Sequence, residues 1–241
     1  AALYHCLNPA YTSQAWQTEF PRFGTALIDA AIATGARLVC LDNLYAYGPV
    51  DAALTEDTPL APAGSKGRVR GELSRALADA AATRGLRYTV GRAGDFFGPG
   101  VEQSVMSITP IRAGRSSWLV GDPQAVHAFS YAPDVARGLA ALGTAAADVV
   151  EGRTFHLPVL ELAPAELHRR LGEAVGVRAG YRTLGPLGIR LLGLFVPVVR
   201  ELPETYYQWA RPFRVDDRRF RASFPDIGTP LDQAVRETAA A

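Results

Sequence analysis

The chain has 241 residues, 48% of them hydrophobic and 20% charged, with a formal net charge of +1. That balance describes an ordinary globular protein, long enough for one α/β domain or a domain with a small lobe, and it supplies no sequence-wide field for nucleic acid or an anionic membrane. Two cysteines, Cys6 and Cys40, are too few for a disulfide framework and read as buried thiols of a cytoplasmic protein.

In chain order, Ala2 to Cys6 reads as a strand, with a turn at Asn8-Pro9. Glu19 to Thr34 has helical periodicity and stops at Gly35, a good residue just past a helix end. Arg37 to Leu41 is the next strand, followed by Asp42-Asn43-Leu44-Tyr45-Ala46-Tyr47-Gly48. Lys66 to Arg84 is a long helix stopped by Gly85, and Arg87 to Gly91 is a third strand. This alternation predicts βαβ units and a parallel sheet with right-handed connections. Beyond it, Gly94 to Gly100 reads as a loop, Gln103 to Ala113 as a helix and Trp118-Leu119 as a short strand. Phe129 to Ala132 leads into a helix near Pro133-Asp134, Thr154 to Leu157 is a strand, and Ala163 to Ala174 is an amphipathic helix.

No basic segment followed by an apolar stretch opens the sequence, so no signal peptide is expected. The most hydrophobic region, Leu184 to Val199, is broken by Arg190, three glycines and two prolines, too short and interrupted to span a bilayer. A buried helix with a turn is the expectation there, and an exposed interaction surface the alternative. Arg214 to Arg221 is interleaved with Asp216 and Asp217 and reads as a solvated helix face.

The sequence has no Gly-x-Ser-x-Gly, His-Glu-x-x-His, Cys-x-x-Cys or Gly-x-x-x-x-Gly-Lys motif. Its four histidines have no metal-ligand spacing, so no metal is expected. What stands out is the end of the second strand. Polar and aromatic groups there face a helix start, Lys66-Gly67-Arg68-Val69-Arg70, that carries the only lysine of the chain. Ligands of open α/β sheets bind at such strand ends. A solvated helix start remains the alternative.

Several stretches, in this order and spacing, resemble the NAD-dependent epimerase/dehydratase family, the extended short-chain dehydrogenases/reductases. Leu3-Tyr4-His5-Cys6 resembles the family's fourth strand, and Leu38 to Pro49 its fifth strand with the Tyr-Gly turn, here Tyr47-Gly48. Gly91-Arg92-Ala93-Gly94-Asp95-Phe96-Phe97-Gly98-Pro99-Gly100 resembles the Arg-Pro-x-Asn-x-Tyr-Gly-Pro loop. His127 to Ala136 resembles the Arg-Asp-Phe-x-x-Val-x-Asp-Val-Ala segment. The resemblance implies a Rossmann-like parallel sheet, N-terminally incomplete, over residues 1–150, and a mainly C-terminal substrate lobe over 151–241. It also implies NAD or NADP as cofactor and hydride transfer on a small-molecule substrate, a sugar nucleotide or another polyol or ketone. His5, Cys6, Asp42, Lys66, Arg70, Arg92 and Ala93 would lie along the cofactor. Asp95, Phe96 and His127 would face the substrate, His127 where the family has an arginine that touches phosphate-bearing substrates.

Two departures stand beside the resemblance. The family's first βαβ unit, with its glycine-rich phosphate loop, has no counterpart here, which suggests a shortened chain or a strand edge covered by a partner or dimer mate. The Tyr-x-x-x-Lys pair is replaced by Lys66 and Arg70, and the usual Ser/Thr by Asn43. Arg70 cannot act as an acid. The catalytic candidates are therefore Asn43, Tyr45 and Lys66, with Tyr47 favoured as a packing residue and Tyr11 placed on the pocket rim. A non-catalytic binding or regulatory protein on the same scaffold is the competing reading.

Overall fold

The structure is a computed structural model that describes residues 1–102, 104 and 106–241. Its elements, in order, are β1 (Ala2–His5), α1 (Ser13–Thr18), α2 (Phe20–Thr34), β2 (Arg37–Asp42), α3 (Ser65–Arg84), β3 (Tyr88–Arg92) and β4 (Asp95–Phe97). There follow α4 (Thr109–Arg112), β5 (Ser117–Val120), β6 (His127–Tyr131), α5 (Ala132–Thr144), α6 (Ala147–Val150), β7 (Arg153–His156) and β8 (Leu160–Leu162). The last are α7 (Pro164–Ala174), β9 (Tyr181–Leu184), α8 (Pro186–Leu192), α9 (Arg218–Ser223) and α10 (Leu231–Ala240).

The chain divides into two compact units. The first comprises residues 1–93, 136–157 and 216–226, the second 94–135, 158–215 and 227–241. The two units interleave along the chain. The chain leaves the first unit directly after β3 and returns for β7, which completes that unit's sheet.

The first unit is the predicted parallel sheet, in the order β1-β2-β3-β7, and every pairing in it is parallel. Val39 and Cys40 of β2 are buried, as expected for a central strand covered on both faces. Phe20, Ile28, Leu38, Val69, Leu77 and Val90 pack as one apolar cluster, which joins α2 and α3 to the strands. Gly35 ends α2 at φ 65°, where a side chain would be strained. Arg37, at the start of β2, donates from Nη1 to the carbonyls of Leu142, Gly143 and Ala145 at 2.8–3.2 Å. A cation thus sits against carbonyls at the end of α5.

The second unit has its own core, including Phe97, Ile111, Leu119, Phe129, Leu171 and Trp209. Here β4 runs parallel to β6, β6 antiparallel to β8, and β5 parallel to β9. Buried Asp134 accepts from the Thr229 N–H at 2.7 Å and the Thr229 hydroxyl at 2.8 Å, which fixes the C-terminal segment of the unit.

Several expectations are corrected. Gly94 to Gly100 is not all loop, because Asp95–Phe97 pairs in register with Phe129–Tyr131. The helix expected from Gln103 to Ala113 is a single turn, Thr109–Arg112; its expected start at Gln103 and Val105 lies outside the described residues. His127 opens a buried strand. Cys6 is exposed, because β1 ends at His5. Leu184 to Val199 is not a buried helix: Leu187, Leu191, Leu194, Phe195 and Val198 are exposed.

Candidate active site

The end of β2 is held by one carboxylate. The register pairs Asp42 with Arg92 on β3, and Asp42 Oδ2 accepts from Arg92 Nε at 3.0 Å. Asp42 Oδ1 lies 3.3 Å from Arg70 Nη1 and accepts from the Asn43 N–H at 2.9 Å. All three charged side chains are buried. Two arginines share one carboxylate, so each needs further acceptors. Arg92 finds Ser74 Oγ at 3.0 Å and the ring of Tyr47 at 4.7 Å. Arg70 finds Asn8 Oδ1 and lies over the rings of Phe20 and Trp16, 4.2 and 4.8 Å from their centroids. Desolvation lowers the Arg70 pKa, whereas Arg92 is held above its ordinary value by Asp42 and Tyr47, which outweigh its own desolvation. Ala93 donates to the Asp42 carbonyl at 3.0 Å and continues the pairing one residue past β3.

Asn43 shapes the turn above this clamp. Its Oδ1 accepts from the Tyr45 N–H at 3.1 Å, the local bond by which asparagine mimics a backbone turn. This places the Tyr45 hydroxyl 3.3 Å from that of Tyr11. Lys66, in the first turn of α3, is fully buried, donates to Ser13 Oγ at 3.3 Å and lies 4.7 Å from the Tyr11 ring centroid. Gly67 makes room for this approach, since a Cβ there would meet the Tyr45 carbonyl. Two phenol hydroxyls, a serine hydroxyl and a buried ammonium therefore gather at the C-terminal end of β2. Such a set can bind hydroxylated ligands and pass a proton between phenols.

His5 closes the end of β1. Its Nδ1 accepts from the Leu7 N–H at 3.3 Å. Burial, reinforced by the Arg70 charge, pushes the His5 pKa down to about 4, so the ring is neutral. His5 Nε2, Trp16 Nε1 and Arg70 Nε are buried polar atoms with no hydrogen-bond partner among the described residues. They belong to one aromatic cluster, because Phe20 lies 5.6 Å from both the His5 and the Trp16 ring. Cys6 is exposed beyond the strand.

Tyr47 is a packing residue, as the Tyr-Gly turn predicts. It is fully buried, and its hydroxyl lies 2.7 Å from His156 Nε2. His156 Nδ1 faces the Asp216 carbonyl at 3.0 Å, which makes Nδ1 the donor and Nε2 the acceptor of the Tyr47 proton. Burial pushes the His156 pKa down to about 4, in keeping with that neutral tautomer.

The three substrate candidates lie in the second unit. His127 Nε2 is 2.8 Å from Asp95 Oδ2, and Nδ1 is 3.1 Å from the Gln208 carbonyl. The ring stacks on Trp209 with centroids 3.8 Å apart and 12° between planes. Both ring nitrogens thus face oxygen atoms. His127 is buried and Asp95 half-buried, which leaves the carboxylate as the accessible end of the pair. Phe96 is half-buried on β4, between Asp95 and buried Phe97.

Of the residues singled out in the sequence, Tyr45, Lys66 and Tyr11 lie together in the first unit, beside Asn43, and Asp95 pairs with His127 in the second, a pairing the sequence did not indicate. Sequence reasoning missed Asn8, Ser13 and Trp16. The signal available was the turn Asn8-Pro9, which brings the chain back across the end of β1 to α3.

A family model described as the NAD dependent epimerase/dehydratase family matches residues 16–157, more than half of the chain. The chain belongs to that family. No curated protein matches it. Among solved structures, this family member resembles a double mutant of DesIV, a dTDP-glucose 4,6-dehydratase from Streptomyces venezuelae with NAD and DAU bound. The TM-score is 0.79 at 18% identity, over 99% of this chain and 72% of that one. UDP-glucose 4-epimerase from Thermus thermophilus in complex with NAD gives 0.78 at 16% identity, over 98% and 76%. RMD from Pseudomonas aeruginosa complexed with NADPH gives 0.73 at 17%, over 99% and 80%. At these identities the likeness establishes the fold, a Rossmann-like parallel sheet. No helix among the described residues is long and apolar enough to cross a membrane.

Proposed function

We propose that this epimerase/dehydratase-family chain carries the nicotinamide side and the substrate side of an NAD(P)-dependent oxidoreductase of the epimerase, dehydratase or reductase type. The substrate is a sugar nucleotide or a similar polyol or ketone. The observation that carries this reading is the gathering of Lys66, Ser13, Tyr11 and Tyr45 at the C-terminal end of β2, the place where doubly wound sheets bind ligands.

The residues suit the ribose and nicotinamide half of a dinucleotide. Unsatisfied buried groups on His5, Trp16 and Arg70 offer polar contacts among aromatic walls. Lys66 offers an ammonium to ribose hydroxyls. The pyrophosphate half needs backbone N–H groups at a glycine-rich turn, and these 241 residues carry no such motif. The nicotinamide, when bound, supplies the hydride acceptor or donor.

Every other role falls to side chains. Tyr45 exchanges a proton with the substrate oxygen, and Tyr11 is its hydroxyl partner. Lys66 holds the Tyr11 ring and the Ser13 hydroxyl in place beside this pair. Asn43 aims Tyr45, while Asp42, Arg70 and Arg92 brace the strand end.

The test is a turnover assay with NAD or NADP against dTDP- and UDP-hexoses, with products read by mass spectrometry and NMR. Conversion that collapses in Tyr45→Phe supports the reading. A folded chain with no conversion of any of them argues for the second reading, a binding protein without turnover. That alternative draws support from the replacement of Tyr-x-x-x-Lys by Lys66 and Arg70.

A further inference from the structure

The second unit presents an apolar surface that the proposed chemistry does not use. It is formed by α8 and the segment after it. Leu187 and Leu191 lie one turn apart on α8 and are 70% and 56% exposed. Leu194, Phe195 and Val198 follow at 67%, 83% and 53%. The surface is anchored from beneath, because Leu184, Ile189 and Val199 belong to the unit's core. Arg200 Nε donates to the Gly193 carbonyl at 3.0 Å and closes the loop that carries Leu194, Phe195 and Val198. These side chains are therefore held outward by a built support rather than by a fraying end.

The exposed charge along this stretch is mainly basic. Between Glu173 and Glu201 the sequence contains no acidic residue, and Arg178, Arg182, Arg190 and Arg200 are all exposed. Arg182 pairs in register with Trp118 on β5, its guanidinium carbon 5.8 Å from the ring of that half-exposed tryptophan. Apolar tips, a tryptophan and four exposed arginines, against Glu201 at the end of the stretch, match a surface that is negative at its face and apolar beneath it. A second copy of the chain fits less well, because a two-fold contact would set four arginines against their counterparts with Glu201 as the one carboxylate between residues 174 and 203.

We propose that the face formed by α8 and residues 193–200 docks this protein on an anionic phospholipid bilayer, lying on the membrane rather than spanning it. Phe195 and Leu194 enter the acyl boundary, and the arginines meet lipid phosphates. The absence of any helix long enough to cross among the described residues is in keeping with a peripheral mode. The near-zero net charge of the chain averages this local patch away.

The experiment is co-sedimentation of the whole chain with phosphatidylcholine vesicles, with and without phosphatidylglycerol, alongside analytical ultracentrifugation of the free protein. The expected result is binding to the anionic vesicles only, weakened by salt. Phe195→Glu and Leu194→Glu each lower it at least tenfold. Arg190→Gln lowers it about fivefold, the factor for roughly 1 kcal/mol per arginine near an anionic surface. The two apolar positions are mostly exposed, so circular dichroism of these variants should match the parent. Absence of binding to anionic vesicles overturns the proposal, as does binding that both glutamate variants leave intact. Self-association abolished by those same variants, without vesicle binding, assigns the face to a second copy instead.

Discussion

The ammonium of Lys66, on α3, lies 4.7 Å from the centre of the Tyr11 ring and 3.3 Å from the Ser13 hydroxyl, both on the segment that follows β1. The one lysine of the chain thus joins two elements that meet at the end of the sheet. Its replacement by methionine keeps the volume and removes the charge. Lys66→Met is expected to weaken NAD(P) binding at least tenfold while the melting temperature shifts by no more than about 4 °C. Calorimetric titration and scanning calorimetry read the two effects separately.

Tyr45→Phe removes only the hydroxyl that faces Tyr11 at 3.3 Å. Loss of a positioned acid/base lowers turnover by roughly 10²–10⁴. The expected result is a fall of that size in kcat with KM nearly unchanged, and a smaller fall in Tyr11→Phe. Steady-state kinetics at saturating cofactor distinguishes these outcomes from a loss of folding.

Asp42 is the shared acceptor for Arg70 and Arg92 in a buried setting. Asp42→Asn leaves two buried guanidinium groups without their carboxylate. Breaking a buried pair in this way costs about 3–5 kcal/mol. Urea unfolding should show a lower midpoint with an unchanged slope.

The parts of this clamp differ in how readable they were. Helices ended by Gly35 and Gly85, and strands between them, identified the parallel unit from local pattern alone. The Asp42–Arg92 pair depends on the register between β2 and β3, which no local pattern specifies. Asp95–Phe97 escaped because a three-residue strand bounded by glycines has the composition of a loop. Leu184 to Val199 misled because apolar content alone does not say whether a segment faces core or solvent. The partnership of Asp95 with His127 also arises from strand placement, 32 residues apart in sequence.

His5 and His156 give the first unit a pH dependence. Burial holds both rings neutral down to about pH 4, against 6.5 for an ordinary histidine. The unfolded chain takes up these protons near pH 6.5 and the folded chain does not, so stability is full above that value and falls as the pH drops toward 4. The loss is up to roughly 3 kcal/mol per ring. Urea midpoints at neutral pH and at about pH 5 should differ accordingly. A flat midpoint across this window contradicts the assignment.

Gly48 follows the Tyr47 turn at φ 70°, and a Cβ there would run into the Ala61 carbonyl. Gly48→Ala therefore combines backbone strain with a clash against backbone. An expected cost of about 2–3 kcal/mol is readable as a drop in melting temperature.

In the function proposed above, the end of β2 forms the nicotinamide side of a cofactor site. Calorimetric titration of NAD, NADP and nicotinamide mononucleotide into the folded chain, beside Lys66→Met, tests it most directly. At least one of them is expected to bind at millimolar affinity or tighter, and at least tenfold more weakly in the variant. A folded chain that ignores all three at millimolar concentration, or binds them equally well without Lys66, contradicts this role.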